Sequence, residues 1–276
     1  MLRRRHAAER MTAEQTPTMA IHSAGPSATS TRASQPAHWP QAPWPQPLHG
    51  LSTTARGPTD EPGFDLALRG SQTPACRRRL REALGLRHEP VWLQQVHGIE
   101  VIEIDAAPRA DATIPTADAC IVRVPGLAAV VLTADCLPIL LADPAGTEVA
   151  AIHAGWRGLA AGVIEACVAR MRTAPPKLLA WIGPAIGVRA FEVGPEVRAA
   201  LLQEDNAEGF IPGRDDRWHA NLPRLAAGRL RKLGIHQITQ SQRCTHQDTD
   251  LHSYRRDGAQ SGRMASLVWV DPVSTD

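Results

Sequence analysis

Three residues of types that commonly bind metals stand where apolar segments of this 276-residue chain end. Cys136 follows the apolar residues 127–132, His153 follows residues 149–152, and His97 lies just beyond Val91-Trp-Leu93. Irregular chain at the end of a rigid strand is where folds present reactive side chains. We therefore predict that His97, Cys136 and His153 meet around one metal ion.

The number and type of these residues favour a catalytic metal over a structural one. Structural zinc sites use four protein ligands, often at short sequence spacings, whereas catalytic sites use three and keep one position open. The thiolate favours zinc, with copper as the alternative, over magnesium. Alternatively, the three residues bind no metal. Buried cysteines are common core residues, and each histidine could be a hydrogen-bonded core residue.

A metal-free mechanism would use two of the same residues. Cys136 could act as a nucleophile that His153 activates, as in a hydrolase or deamidase. Sequence spacing does not distinguish this pair from a metal site, since such partners are neighbours in space and not in sequence. The residues alone leave both interpretations open.

Two arginines and one aspartate are further candidates for the site. Arg157 lies in Gly155-Trp-Arg-Gly158, at a predicted strand-to-helix junction where backbone N–H groups could hold a phosphate. Arg255 lies in the arginine-rich residues 253–264, and its guanidinium could bind an anionic substrate. A plain glycine turn and a salt-bridged loop are the alternatives. Asp135 is a candidate proton carrier, or an anchor for the metal ligands.

The apolar patterns predict one α/β domain with a mixed sheet flanked by helices. Apolar residues at helical spacing, with proline or glycine near the ends, predict helices at residues 75–86, 159–171, 195–202 and 222–233. Apolar or alternating runs predict strands at residues 99–104, 128–132, 137–141, 149–152, 178–182, 235–239 and 264–270. The elements show no regular βαβ repeat, so the pattern is not that of a Rossmann fold.

The bulk composition argues against several functions. No apolar run approaches the roughly 18 residues of a membrane-spanning helix. A net charge of +2 is too small to indicate binding to nucleic acid or to an anionic membrane. Five cysteines, odd in number and widely spaced, do not form a disulfide framework and predict a reducing compartment, the cytoplasm. The composition does not predict the oligomeric state.

Residues 1–46 differ in composition from the rest of the chain. An arginine-rich start is followed by Ser, Thr, Ala and Pro, and then by a cluster of prolines. This composition predicts a disordered tail, with organelle targeting or an over-long start, before Met11 or Met19, as alternatives. The folded catalytic domain is predicted at residues 47–272.

A set of short motifs resembles the YfiH family, the laccase-domain proteins once called multicopper polyphenol oxidases and now described as zinc-dependent purine nucleoside phosphorylases. The resemblance covers roughly residues 49–270. The motifs, in chain order, are Gln95-Val-His-Gly98, Thr133-Ala-Asp-Cys-Leu-Pro138, His153-Ala-Gly-Trp-Arg-Gly158, Gly183-Pro-Ala-Ile-Gly187, Phe191-Glu-Val-Gly194, Cys244-Thr245, Ser253-Tyr-Arg-Arg-Asp-Gly258 and Gly262-Arg-Met-Ala265.

The resemblance implies a fold shared with the catalytic domain of cytotoxic necrotizing factor toxins. It implies phosphorolysis of adenosine, inosine, guanosine and methylthioadenosine, with adenosine deamination as a companion activity. Purine nucleosides and phosphate would then be the small-molecule partners, with Arg157 and Arg255 as candidates to hold phosphate. Carried over by motif, the family's zinc ligands correspond to His97, Cys136 and His153.

Some segments depart from the family pattern. Ser52-Thr-Thr-Ala-Arg-Gly57 replaces a Ser-Thr-Arg-x-Gly-Gly pattern, and Phe64-Asp-Leu-Ala67 lacks the asparagine of Ser-Leu-Asn-Leu. His246 stands where an aromatic residue is expected after Cys-Thr, and Asp250-Leu-His252 replaces Arg-Phe-Phe. We expect these segments to line the nucleoside pocket, so they bear on substrate preference. A copper-dependent polyphenol oxidase, the metal-free hydrolase and a non-catalytic binding scaffold are the alternative functions.

Overall fold

Strands and short helices follow one another irregularly along the chain. The computed structural model describes residues 35–67, 72–108, 113–202 and 207–272, which belong to one compact unit. The strands are β1 (Leu48–Ser52), β2 (Val101–Ile104), β3 (Ala119–Val122), β4 (Ala129–Thr133), β5 (Leu137–Ala142), β6 (Val149–Ala154), β7 (Leu179–Ile182), β8 (Glu192–Val193), β9 (Phe210–Pro212), β10 (Trp218–Ala220), β11 (Gln237–Gln240) and β12 (Met264–Val270). The helices are α1 (Thr73–Leu84), α2 (Trp156–Ala161), α3 (Val163–Val168), α4 (Pro195–Leu201), α5 (Leu222–Lys232) and α6 (Tyr254–Asp257).

A six-stranded mixed sheet forms the centre of the fold, with the strand order β11-β7-β5-β6-β3-β2. The two outer pairs, β11–β7 and β3–β2, are parallel, and the inner strands pair antiparallel. Strands β5 and β6 are buried along their whole length. Burial on both faces explains why their sequences are continuous apolar runs rather than alternating ones. The sheet confirms the predicted α/β domain with a mixed sheet.

Two smaller sheets, β1-β12-β4 and β8-β10-β9, complete the β structure. Buried side chains that include Val131, Leu140 and Trp181 fill the space between the six-stranded sheet and the β1-β12-β4 sheet. The other face of the six-stranded sheet packs on α3 and α5, and the outer face of the β1-β12-β4 sheet packs on α1. The fold is therefore layered as helix, sheet, sheet and helix.

The folded unit begins before residue 47, the predicted boundary. Trp39 is 2% exposed, stacks on Phe64 and donates from Nε1 to the carbonyl of Arg56. Gln41 pairs with Leu51 in an isolated antiparallel bridge. The proline-rich composition did not indicate this packing, because the segment forms no regular helix or strand. The buried Trp39 side chain holds it against the rest of the domain. The rest of the predicted tail, residues 1–34, lies outside the described residues.

Removing the Trp39 side chain tests whether this segment belongs to the core. We expect Trp39→Ala to lower the free energy of unfolding by about 3–5 kcal/mol, the usual cost of emptying a buried aromatic site. Urea denaturation followed by circular dichroism measures the change. Trp39→Phe is the matched control, because it keeps a ring against Phe64 and should cost less. A loss within about 0.5 kcal/mol for Trp39→Ala, typical of surface positions, would contradict the packing.

The single helix predicted at residues 159–171 is wrong, because the structure has the two short helices α2 and α3 there. Gly162 separates them with a φ of 97°, in the left-handed region that glycine favours. Its N–H ends α2 by bonding to the carbonyls of Gly158 and Leu159. The apolar pattern continues through the break, so the spacing alone does not reveal it.

Other predicted elements are present with shifted ends. The predicted helix 75–86 spans Thr73–Leu84, and the predicted strand 99–104 spans Val101–Ile104. Strands β1, β3, β8, β9 and β10, which are two to five residues long, are absent from the sequence prediction. Within the described residues, no helix is both long enough and apolar enough to cross a bilayer.

Candidate metal centre

Two adjacent strands bring Cys136 and His153 to one edge of the six-stranded sheet. The register pairs Leu137 of β5 with Ala154 of β6, and Pro138 with His153. Cys136 directly precedes β5, where the chain passes from the β1-β12-β4 sheet into the six-stranded sheet. His153 is 3% exposed, and Cys136 is half-buried. The two apolar strands therefore position the imidazole and the thiol side by side.

His97 reaches the same place from the loop before β2. Its backbone has a φ of 62°, in the left-handed region. The N–H of His97 donates to Oδ1 of Asp118 at 2.9 Å, and the N–H of Gly98 donates to Oδ2 at 2.7 Å. The Gln95 amide bonds to both backbone groups of Leu132 at 2.7 and 2.8 Å. These polar side chains hold the His97 turn against β3 and β4.

The three residues form a cluster with dimensions that suit a metal ion. Their ligand atoms lie within 4.8 Å of one another, and Sγ of Cys136 is 3.6 Å from Nε2 of His97. A tetrahedral zinc ion, with Zn–S of about 2.3 Å and Zn–N of about 2.0 Å, holds sulfur and nitrogen about 3.5 Å apart. Two imidazoles and a thiol are also ligands that zinc and copper accept. The cluster therefore fits a metal ion.

Gly155 leaves the space into which two of these side chains extend. A Cβ at this position would lie 2.6 Å from Cδ2 of His97 and 3.1 Å from Sγ of Cys136. The backbone angles, φ −64° and ψ 163°, are open to any residue. Glycine is therefore required here by the close approach of the cluster and not by the backbone conformation.

Electrostatics favour the charged forms of Cys136 and His153 in the metal-free protein. Burial alone raises the pKa of the Cys136 thiol, but the charge on His153 and hydrogen bonds from both histidines outweigh it and lower the pKa to about 6. Burial alone lowers the pKa of His153, but the Cys136 thiolate and Asp118 raise it to about 9. A thiolate is the form that binds metal, so the thiol is prepared as a ligand near neutral pH.

This lowered pKa predicts selective alkylation. In metal-free protein, the rate of Cys136 modification by iodoacetamide should rise with pH and reach half its maximum near pH 6, because only the thiolate reacts. Burial raises the pKa of Cys120 to about 12 and raises that of Cys167 further, so these thiols should stay unmodified. Mass spectrometry of digested protein measures each site, and urea-unfolded protein is the control. A half-maximum near the ordinary thiol pKa would contradict the prediction.

Asp135 anchors three segments around Cys136. Its Oδ1 accepts a hydrogen bond from the hydroxyl of Thr245 at 2.5 Å, and its Oδ2 accepts one from the backbone N–H of Arg255 at 2.6 Å. Its φ of 91° is in the left-handed region, and its carbonyl accepts from the N–H of Ile186. Both carboxylate oxygens are therefore engaged in hydrogen bonds that link these segments to Asp135.

The two candidate anion-binding arginines are both exposed. Arg157 lies in the first turn of α2, with its guanidinium 4.4 Å from the centroid of the Trp156 ring. Arg255 donates from one guanidinium nitrogen to the carbonyls of Ala190 and Glu192 at 3.2 and 3.4 Å. The hydrogen bond from the Arg255 backbone to Asp135 thus holds Arg255 near the segment that carries Cys136. Arg157 is near His153 because it follows it closely in the sequence.

A cleft of about 180 Å³ lies at the carboxyl ends of the parallel strands β7 and β11. The glycine-rich residues 183–187 and residues 240–244 form much of its lining. Ligands of α/β proteins commonly bind at this end of parallel strands. However, His97, Cys136 and His153 are not among the described residues that line the cleft. This cleft is therefore separate from the cluster.

Two of the segments that depart from the family pattern lie against each other. Nε2 of His252 bonds to the carbonyl of Phe64 at 2.9 Å, and Oδ1 of Asp65 accepts from the N–H of Arg263 at 2.8 Å. A Cβ on Gly262 would lie 2.5 Å from Cε1 of His252. The substituted residues therefore form one packed unit beside β12.

Asp118 is the site residue that the sequence analysis missed. It is fully buried, and its Oδ1 lies 2.7 Å from Nδ1 of His153. Burial opposes ionisation, but hydrogen bonds from His153 and from backbone N–H groups lower the pKa of its carboxyl. A repeated tripeptide could have revealed it, since Thr116-Ala-Asp118 and Thr133-Ala-Asp135 both lie close to apolar strands of the site.

Comparison with known protein families assigns the chain to a family. A family model described as multi-copper polyphenol oxidoreductase laccase matches residues 69–271. The match spans well over half of the chain, and the motifs that resemble the YfiH family lie within it. The chain therefore belongs to this laccase-like YfiH family.

Relatives with known names are similar over nearly their whole length. The purine nucleoside phosphorylase YfiH of Escherichia coli (strain K12) is 43% identical over 238 residues, which are 82% of this chain and 96% of the relative. A purine nucleoside phosphorylase of Xylella fastidiosa (strain Temecula1) is 42% identical over 249 residues, covering 83% of this chain and 95% of the relative. The crystal structure of Neisseria meningitidis protein NMB0706 superposes with a TM-score of 0.77 at 35% identity, covering 85% of this chain and 99% of that one.

Proposed function

We propose that this chain is a zinc-dependent purine nucleoside phosphorylase with adenosine deamination as a companion activity. The observation that carries the proposal is the cluster of His97, Cys136 and His153, with ligand atoms within 4.8 Å of one another. The names of the relatives support purine nucleosides as substrates. We propose adenosine, inosine, guanosine and methylthioadenosine, with phosphate as the second substrate.

Zinc is the proposed metal, with copper as the alternative. The family description mentions copper, and two imidazoles with a thiolate suit either ion. Oxidation of the laccase type uses several copper ions, whereas the described residues contain one three-ligand cluster. Three protein ligands with one open position are the arrangement of catalytic zinc, and this supports zinc.

Phosphorolysis breaks the bond between the ribose and the base and forms a bond from the ribose to a phosphate oxygen. Arg157 and Arg255 are the proposed phosphate-binding residues, since guanidinium groups pair well with phosphate oxygens. Asp135 would keep the Arg255 backbone beside the segment of Cys136, through its 2.6 Å hydrogen bond. The bound metal would supply the activation of water that deamination requires.

A metal-free Cys–His hydrolase or deamidase is the second candidate, favoured by the surroundings of Cys136 and His153. The carboxylate of Asp118 lies 2.7 Å from Nδ1 of His153, and the pKa of Cys136 is lowered by its histidine neighbours. A carboxylate that orients a histidine next to a thiolate is the arrangement of cysteine hydrolases. Cys136, His153 and Asp118 could therefore act together without a metal.

The test combines metal analysis with a nucleoside assay. Full-length protein purified without added metal is analysed for zinc and copper, then incubated with adenosine and phosphate, while chromatography follows adenine and inosine. Close to one zinc per chain, together with phosphate-dependent adenine release that stops on chelation and returns with zinc, supports the proposal. Adenine release undiminished by complete metal removal would instead support the Cys–His mechanism. Bound zinc without turnover of any nucleoside would refute the phosphorylase assignment.

The proposal places the enzyme in the cytoplasm, the reducing compartment that the cysteine pattern predicts. All five cysteines are free thiols in the structure, and Cys120 and Cys167 are fully buried core residues. The partners would be small molecules, purine nucleosides and phosphate. Neither nucleic acid nor a membrane forms part of the proposal.

A further inference from the structure

One buried carboxylate contacts two of the three candidate metal ligands. Oδ1 of Asp118 lies 2.7 Å from Nδ1 of His153 and 2.9 Å from the backbone nitrogen of His97. Oδ2 accepts from the N–H groups of Gly98 and Val96 at 2.7 and 3.2 Å. The carbonyl of Asp118 also accepts from the backbone N–H of His153 at 2.7 Å. Asp118 is fully buried, and an ionised carboxylate in the interior is costly unless such contacts satisfy it.

The contact with His153 determines which of its ring nitrogens can bind a metal. An ionised carboxylate only accepts hydrogen bonds, so Nδ1 must carry the hydrogen that it donates to Asp118. The lone pair of a neutral ring is then on Nε2. A histidine that donates its other N–H to a carboxylate has a fixed tautomer and ring orientation, and it is a stronger metal ligand.

The contacts with residues 96–98 hold His97. Three consecutive backbone N–H groups point to one carboxylate, and the middle residue has the left-handed φ of 62°. This conformation is strained for a residue with a side chain. The three hydrogen bonds therefore stabilise the turn that places the His97 imidazole beside Cys136.

We propose that Asp118 is the positioning residue of the metal centre, which fixes the tautomer of His153 and the backbone turn of His97 with one carboxylate. This inference rests on the proposed metal binding, but it does not depend on the nucleoside chemistry. Asp118 joins two ligands that come from separate segments, so its loss should weaken the site as a whole.

The test compares Asp118→Asn with Asp143→Asn. Asparagine keeps the shape of aspartate, but its NH₂ group replaces one of the two carboxylate oxygens. The N–H groups that donate to that oxygen would then face another donor. Asp143 is also buried, at 7% exposure, and also accepts from backbone N–H groups, those of Ala145 and Thr147, at 3.1 and 3.3 Å. It directly follows β5, at the end opposite to Cys136, so Asp143→Asn controls for the loss of a buried carboxylate.

Zinc affinity is measured by titration of the metal-free proteins with zinc chloride against a chromophoric chelator. We expect Asp118→Asn to bind zinc about 10- to 100-fold more weakly than the wild type, and Asp143→Asn to bind it with unchanged affinity. Equal affinity in the wild type and Asp118→Asn would overturn the proposal, as would an equal loss in both variants. Tight zinc binding by the wild type without nucleoside turnover would refute the phosphorylase assignment alone.

A second measurement applies even if Asp118→Asn does not fold. Nitrogen-15 NMR of histidine-labelled, zinc-loaded wild type reports which nitrogen of His153 carries hydrogen. We expect hydrogen on Nδ1 and the metal on Nε2. The opposite arrangement would overturn the proposal, because Nδ1 would then not donate to Asp118.

Discussion

Replacement of Cys136 by alanine is expected to remove the metal and to lower phosphate-dependent adenine release by more than about 100-fold. Changes to residues that only orient metal ligands typically cost 10–100-fold in affinity or activity, and loss of a ligand should cost more. Cys136 supplies the sole thiolate of the cluster, 3.6 Å from Nε2 of His97. Inductively coupled plasma mass spectrometry measures the zinc content per chain, and chromatography measures the adenine released.

The matched control is Cys244→Ala. Cys244 is also half-buried, and its Sγ accepts a hydrogen bond from the N–H of Gly187, but it is not part of the cluster. This variant should retain the wild-type zinc content. Zinc at the wild-type level in Cys136→Ala would contradict the assignment of Cys136 as a ligand. Loss of activity with unchanged zinc would point to a nucleophilic cysteine.

Addition of a single methyl group at Gly155 is expected to disrupt the same site while the fold survives. A Cβ there would lie 2.6 Å from Cδ2 of His97 and 3.1 Å from Sγ of Cys136, so both side chains would have to move. We expect Gly155→Ala to bind zinc about 100-fold more weakly, at the upper end of what misplacement of metal ligands costs. The chelator titration measures this loss, and circular dichroism reports whether the fold is retained.

Gly228→Ala is the control for the glycine substitution. Gly228 lies within α5, and a Cβ there meets no described atom within 4 Å. Alanine in a helix should stabilise the protein by roughly 0.5–1 kcal/mol, with unchanged zinc affinity. If Gly155→Ala bound zinc as tightly as Gly228→Ala, the space beside the cluster would not be a requirement of the site.

The meeting of Cys136 and His153 could be predicted from the sequence because it depends on local patterns. The apolar residues 137–141 and 149–152 are long enough to define two strands, and a short connection pairs them antiparallel. Their polar flanking residues then share one edge of the sheet. The residue type of His97 and its place after an apolar segment predict that it joins them, and the family motifs imply the same ligand set, but no periodicity could have placed its loop.

Other features depend on contacts between distant segments and leave little local signal. Asp118 precedes an apolar run, as many surface aspartates do, and apart from the repeated Thr-Ala-Asp tripeptide only its contacts with His97 and His153 distinguish it. The need for glycine at position 155 depends on how closely two other segments approach it. Trp39 stands among prolines, where composition indicates disorder, yet its burial against Phe64 places the segment in the core.

The positions of the three ligands along the chain have a consequence for the stability of the folded protein and its resistance to proteolysis. An ion held by His97, Cys136 and His153 would close two loops of the chain, much as disulfides do in secreted proteins. Such a cross-link opens without any redox reaction, simply by dissociation. At a free metal concentration 100 times Kd it would add about 2.7 kcal/mol to the stability of the folded state. The supply of metal would then govern how long the folded chain survives proteolysis, in addition to what it catalyses.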